Sequence, residues 1–126
     1  MAKKILIVDD TKSVRAVIGT TLKMAGYETL AAEDGVEALR ILQDKENADI
    51  DLIITDVNMP NMDGVTLIKK IKSDKNLLNK PICVLTTESE QGKHNEELGS
   101  FKDAWITKPV QPAHVLNIIG EILGES

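Results

Sequence analysis

The chain has 126 residues, of which 42% are hydrophobic and 28% charged, with a formal net charge of -5. That length suits one domain with one core, and the composition argues against disorder. No basic cluster stands out, which argues against binding nucleic acid through its phosphates, and no apolar run approaches membrane-spanning length.

Lys4-Ile5-Leu6-Ile7-Val8 is a short aliphatic run and reads as a first strand, ending in Asp9-Asp10. The start Met1-Ala2-Lys3-Lys4 is too short to be a signal peptide. Val14, Val17, Ile18, Thr21, Leu22 and Ala25 then recur at helical spacing, and Gly26 is placed to stop that helix. Tyr27 to Ala32 is a weaker second strand. Glu33-Asp34-Gly35 is a turn, with Asp34 able to cap the next helix. That helix turns Ala38, Leu39 and Leu42 inward and fades into the polar stretch from Gln43 to Asp49.

Leu52-Ile53-Ile54-Thr55 leads straight into Asp56, the pattern of a buried parallel strand. Pro60 forbids its continuation, and Asn61, Asp63 and Gly64 supply turn chemistry. A third helix begins near Asp63, with Leu67, Ile68 and Ile71 on one face. Ile82 to Thr87 is a fourth strand, entered through Pro81. Glu88 to Leu98 makes a poor, marginal helix, interrupted by Gly92. Ala104 to Thr107 is a fifth strand, ended by Lys108-Pro109. Pro112 opens the last helix, whose Leu116, Ile119, Ile122 and Leu123 are expected to face the core.

Strict alternation with short connections implies a parallel sheet wrapped by helices on both faces. The chain is read as one domain over residues 1–126 with no output domain. Cys83, the single cysteine, sits in an apolar run and suits both a core position and a reducing compartment. His94 and His114 share no ligand spacing and are expected to face solvent.

The chemistry collects at the strand ends, where open α/β sheets bind ligands. Asp9, Asp10 and Asp56 end two strands. If those strands are neighbours, the carboxylates converge and need a cation. Hard oxygen ligands of this kind suit Mg²⁺. Lys108 and Thr86 end two further strands and offer an ammonium and a hydroxyl to phosphoryl oxygens. The set suits phosphoryl transfer to a carboxylate. Singly, Asp9 or Asp10 reads as a solvated loop acid, Lys108 as a turn residue, Thr86 and Thr87 as strand-pairing residues and Trp105 as partial core. It is their coincidence at strand ends that carries the functional reading.

Val8-Asp9-Asp10, Thr55-Asp56-Val57-Asn58-Met59-Pro60, Met62-Asp63-Gly64, Leu85-Thr86-Thr87 and Lys108-Pro109 together resemble a response-regulator receiver domain over essentially the whole chain. The resemblance implies a flavodoxin-like (βα)5 three-layer sandwich with sheet order 2-1-3-4-5. It implies that Asp56 accepts a phosphoryl group from a histidine kinase. Asp10 and Asp56 would ligate Mg²⁺, Asp9 would hold a metal water, and the backbone carbonyl of Asn58 would be a third protein ligand. Lys108 would contact the phosphoryl group, Thr86 would swing toward it, and Trp105 would occupy the aromatic switch position. Asn58 and Glu88 stand where the family tunes phosphate lifetime, implying self-dephosphorylation.

Within the family the chain is similar to single-domain, CheY-like chemotaxis receivers. That likeness implies a cytoplasmic, monomeric protein served by a CheA-like kinase. Its downstream partner would be a flagellar motor switch or a phosphatase, bound on the surface of the fourth helix, fifth strand and last helix. Val110 stands where Phe is common, and Leu98-Gly99-Ser100-Phe101 replaces the usual Ala-Gly-Ala, both near that surface. A relay shuttle unconnected to a motor remains an alternative. A Mg²⁺-dependent phosphohydrolase would need a second acid two residues after its nucleophile, which Asp9-Asp10-Thr11 lacks. A flavodoxin-type carrier would need a hydroxyl- and glycine-rich phosphate loop where this chain is acidic.

Overall fold

The computed structural model describes residues 2–59, 61–87 and 104–124. Five strands, Lys4–Val8 (β1), Glu28–Ala32 (β2), Ile50–Asp56 (β3), Ile82–Thr86 (β4) and Ala104–Thr107 (β5), form one parallel sheet in the order β2-β1-β3-β4-β5. The described helices are Lys12–Met24 (α1), Gly35–Gln43 (α2), Gly64–Lys72 (α3) and Pro112–Leu123 (α4). The expected architecture and strand order are therefore present. The polar helix expected over Glu88 to Leu98 lies outside the described residues, as do Glu88, His94 and the stretch from Leu98 to Phe101.

The sheet separates two cores, as the period of two along a strand requires. Leu6, Val8, Ile53 and Val84 point to the face covered by Ala38 and Leu42 of α2 and Leu67, Ile68 and Ile71 of α3. Ile5, Ile7, Leu52, Ile54, Cys83, Leu85 and Ile106 point to the other face, under Ile18 and Leu22 of α1 and Val115 and Ile119 of α4. The three central strands are buried along nearly their whole length, hence their unbroken apolar character.

The element ends follow local chemistry. Gly26, at φ 97°, donates its N–H to the Lys23 carbonyl and ends α1. The Asp34 carboxylate accepts from the Glu37 N–H and caps α2, as expected, and Asp63 caps α3 through the Thr66 N–H. The polar tail after α2 closes into a short 3₁₀ turn, Lys45–Asn47, capped by Asp44. Several details differ from the sequence reading. Val17 is 46% exposed and Ala25 is exposed, because the inward stripe of α1 runs through Ile18, Gly19 and Leu22. In α4, Ile119 is buried and Leu116, Ile122 and Leu123 are partly buried against the same core, as expected, and Val115, not expected there, is fully buried with them. Strand β4 stops at Thr86, which pairs with Thr107, so Thr87 lies past the strand. Strand β2 begins at Glu28, since the Tyr27 N–H is still committed to the Leu22 carbonyl of α1. His114 is exposed, as expected.

Candidate functional site

Because β2 and β3 flank β1 on opposite sides, the chain reverses its winding direction between β1 and β3. A crevice opens at such a point, at the carboxyl ends of the strands. Asp9 follows the last residue of β1, and Asp56 is the last residue of β3. Asp9, Asp10 and Asp56 each present a carboxylate oxygen there, all within 4.8 Å of one another. Asp9 is fully buried, Asp56 is 5% exposed, and Asp10 is exposed at the rim.

Each buried acid has one oxygen fixed by backbone. Asp9 Oδ1 accepts from the Thr11 N–H at 2.7 Å, at the entry to α1, and Asp56 Oδ1 accepts from the Val57 N–H at 2.8 Å. Their other oxygens turn toward a cation. Lys108 Nζ lies 3.1 Å from Asp9 Oδ2 and 3.2 Å from Asp56 Oδ2. The Asp9 contact is an ion pair without hydrogen-bond alignment, leaving Oδ2 a buried acceptor with no hydrogen-bond donor. A fully buried carboxylate oxygen with an ammonium contact but no aligned donor, beside two more carboxylates, is a setting that a hard cation would satisfy.

Burial pushes the Asp56 carboxyl above its ordinary pKa. The Lys108 charge opposes that shift, and the neighbouring charge of Asp9 reinforces it. For Lys108, burial works against the ammonium, but Asp56 and Asp9 outweigh it and its pKa is raised. The ammonium thus stays charged between the two acids.

Lys108 is tied to the neighbouring strand end, since its backbone N–H donates to the Thr86 carbonyl at 2.8 Å. Thr86 is 1% exposed, and its hydroxyl donates to the Thr87 carbonyl at 3.2 Å. The Lys108–Pro109 peptide is cis. Asn58 is exposed two residues beyond Asp56. Trp105 packs half-buried against the α2–α3 side of the core, on the same sheet face as Thr86 and two register pairs before it.

Three features of the site escaped the sequence reading. Arg15 Nη1 donates to the Asp9 carbonyl at 2.6 Å, one turn into α1, and nothing in its sequence context signals this. Asn61 Nδ2 donates to Asp34 Oδ2 at 2.8 Å across two loops. Gly64, read as a turn residue, has a stricter role. A Cβ there would overlap the Asp56 carbonyl and lie 2.8 Å from the Val57 Cα, while its N–H donates to the Val57 carbonyl at 2.7 Å.

Comparison with known proteins agrees with this geometry. The model of the response regulator receiver domain matches residues 5–120. The chain belongs to that family. It is 39% identical over 122 residues to the chemotaxis protein CheY1 of Helicobacter pylori, covering 96% of this chain and 97% of that protein. The solved chemotaxis response regulator CheY4 of Vibrio cholerae superposes with a TM-score of 0.87 at 36% identity, covering 97% of this chain and 99% of that one. The receiver domain of the sensor histidine kinase PA1611 from Pseudomonas aeruginosa, 26% identical, superposes with a TM-score of 0.85 over 99% of this chain and 100% of that one. That domain holds a magnesium ion coordinated in its active-site cleft. The chain is thus a CheY-like receiver of two-component signalling, and among its described residues no helix is long and apolar enough to cross a membrane.

Proposed function

We propose that this receiver is a transient phosphorylation switch in which Asp56 takes a phosphoryl group from a histidine kinase. The observation that carries the reading is the meeting of Asp9, Asp10, Asp56 and Lys108, drawn from three strand ends, in one crevice.

The acid cluster, in which Asp9 Oδ2 has no aligned hydrogen-bond donor, fits Mg²⁺. Asp10 and Asp56 would hold the ion with the Asn58 carbonyl, and Asp9 would hold one of its waters. The ion would supply charge neutralisation for the phosphoryl oxygens. An Asp56 carboxylate oxygen attacks the phosphorus of a phosphoimidazole. A P–O bond forms, the P–N bond breaks, and the departing nitrogen keeps the electron pair and takes a proton. The Val57 N–H holds the Asp56 carboxylate in place, and Lys108 pairs with a phosphoryl oxygen.

Thr86 then exchanges its bond to the Thr87 carbonyl for the phosphoryl group, and Trp105 follows, altering the surface near β5 and α4. Asn58 and Glu88 orient a water for self-dephosphorylation. The kinase would be CheA-like and the downstream protein a motor switch or a phosphatase, all in the cytoplasm. The likeness to CheY1 over nearly the full length of both chains favours this reading over a motor-independent shuttle.

Acetyl phosphate with Mg²⁺ is expected to add one phosphoryl group, read by intact mass, and a histidine-kinase phosphodomain should do the same. Asp56→Asn is expected to abolish it. An Asp56→Asn protein modified as readily as wild type would refute the assignment.

A further inference from the structure

The loop after β3 carries the proposed carbonyl ligand of Asn58; its described residues are held at its base and at its tip, with Met59 packed against the α2–α3 core between them. At its base, the Gly64 N–H closes onto the Val57 carbonyl. At its tip, adjacent residues Asn61 and Met62 meet adjacent residues Asp34 and Gly35 of the β2–α2 turn. Asn61 Nδ2 donates to Asp34 Oδ2, and a Cβ at Gly35 would lie 2.9 Å from the Met62 Cβ, Cγ and carbonyl oxygen. Asn61 is the non-glycine residue with positive φ among the described residues, at 67°. Asparagine tolerates that conformation better than most side chains. Its amide reaches across to the β2–α2 turn. Asp34 is 8% exposed and divides its two oxygens: Oδ1 caps α2 and Oδ2 receives Asn61.

We infer that the Asp34–Asn61 hydrogen bond is a latch that positions the β3–α3 loop for metal binding at the Asn58 carbonyl. The inference rests on the metal reading given above. It assigns Asp34 and Asn61 as positioning residues that touch neither the ion nor the phosphoryl group. Only Met59 and Pro60 lie between Asn58 and Asn61, so freeing the tip loosens the carbonyl that the ion would use. A carbonyl already held in place loses less freedom on binding.

Two variants separate the latch from the fold. Asn61→Gly keeps the positive φ and removes the amide. Asp34→Ser keeps an N-cap acceptor for α2 and removes the second oxygen. Both, with their double variant, are titrated with MgCl₂ in a calorimeter, and backbone order at the Asn58 amide is measured by NMR relaxation without metal. Each single change is expected to weaken Mg²⁺ binding about fivefold, as expected for one lost hydrogen bond. The double is expected to be no weaker than the weaker single, and Asn58 is expected to lose order in all three. Unchanged affinity and unchanged Asn58 order in both singles would overturn the latch, as would a double whose loss is the product of the two. Wild-type protein without any Mg²⁺ binding would instead overturn the metal assignment on which the latch rests.

Discussion

Lys108, just past the end of β5, holds its ammonium 3.2 Å from the carboxylate of Asp56 at the end of β3, across the intervening end of β4. The same ammonium lies 3.1 Å from Asp9. Among the described residues it is the ammonium those two buried acids share. A divalent ion would compete for the same oxygens. Lys108→Ala should then have opposite effects on stability and on metal binding. Without metal it should lower stability by about 2 kcal/mol, since two buried carboxylates lose their counter-charge. It should also tighten Mg²⁺ binding, and saturating Mg²⁺ should recover most of the lost stability. Urea unfolding with and without Mg²⁺ checks this. An equal deficit in both conditions would show that Lys108 and the ion do not share ligands.

Asp56 gives a second prediction, with a sign opposite to that of most acids. Its folded pKa is raised, so between the unfolded value of about 3.9 and the folded value the native state binds more protons than the unfolded chain. Stability from this group therefore falls as pH rises through that window and stays low above it. Asp34, whose pKa is lowered by the Glu37 N–H and the Asn61 amide, works in the reverse direction and loses its contribution only as pH falls below the usual carboxylate range. Asp56→Asn should thus stabilise the metal-free protein at neutral pH, raising Tm by about 4 °C for each kcal/mol of burial cost removed. The gain should vanish at about pH 3, where both side chains are neutral. Melting curves in EDTA across pH test it. A gain that persists unchanged in acid would mean that charge burial is not its cause.

Gly64 yields a third. A methyl group there has no room, because the obstruction is the backbone of Asp56 and Val57 rather than a side chain that can swing away. Gly64→Ala should cost about 2–4 kcal/mol by forcing the Asp56 end of β3 aside. Gly26→Ala is the control. Its site is open, so only its positive φ of 97° is opposed, at about 1 kcal/mol. Equal losses at the two glycines, by denaturant unfolding, would contradict the close packing at Gly64.

The contrast between these glycines also shows how far sequence alone can reach. Gly26 was legible because helix termination is local, written in the residues beside it. The strands were legible because burial on both faces leaves an unbroken apolar run, and β1 and β5 fall where their composition places them. The convergence of Asp9, Asp10, Asp56 and Lys108 was legible because short parallel strands end at one edge. The Asn61–Asp34 bond and the Arg15 contact to the Asp9 carbonyl were not. Both depend on where one loop lies against another element, which no periodicity encodes. The inward face of α1 was blurred for a related reason. Val17 and Ile18 are adjacent and equally apolar, and only the position of the sheet decides which is buried.

The link between Thr86 and Trp105 supplies the last prediction. Thr86 and Trp105 lie on one face of the β4–β5 pair, with Val84 registered to Trp105 and Thr86 to Thr107. The Thr86 hydroxyl is buried and bonded only 3.2 Å away, to the next carbonyl, so it can leave that bond without unravelling the strand. If its movement toward a phosphoryl group opens space beneath it, Trp105 is the large side chain nearest in register to respond. Thr86→Ala should still accept phosphate on Asp56, with a rate within about threefold of wild type, because positioning of the acids does not depend on the hydroxyl. Its Trp105 emission should not change on phosphorylation, whereas wild type should respond. Thr86→Ser, which keeps the hydroxyl, should restore the response. A full fluorescence change in phosphorylated Thr86→Ala would show that the signal reaches β5 by another route, with the Lys108 backbone bond to the Thr86 carbonyl the next candidate.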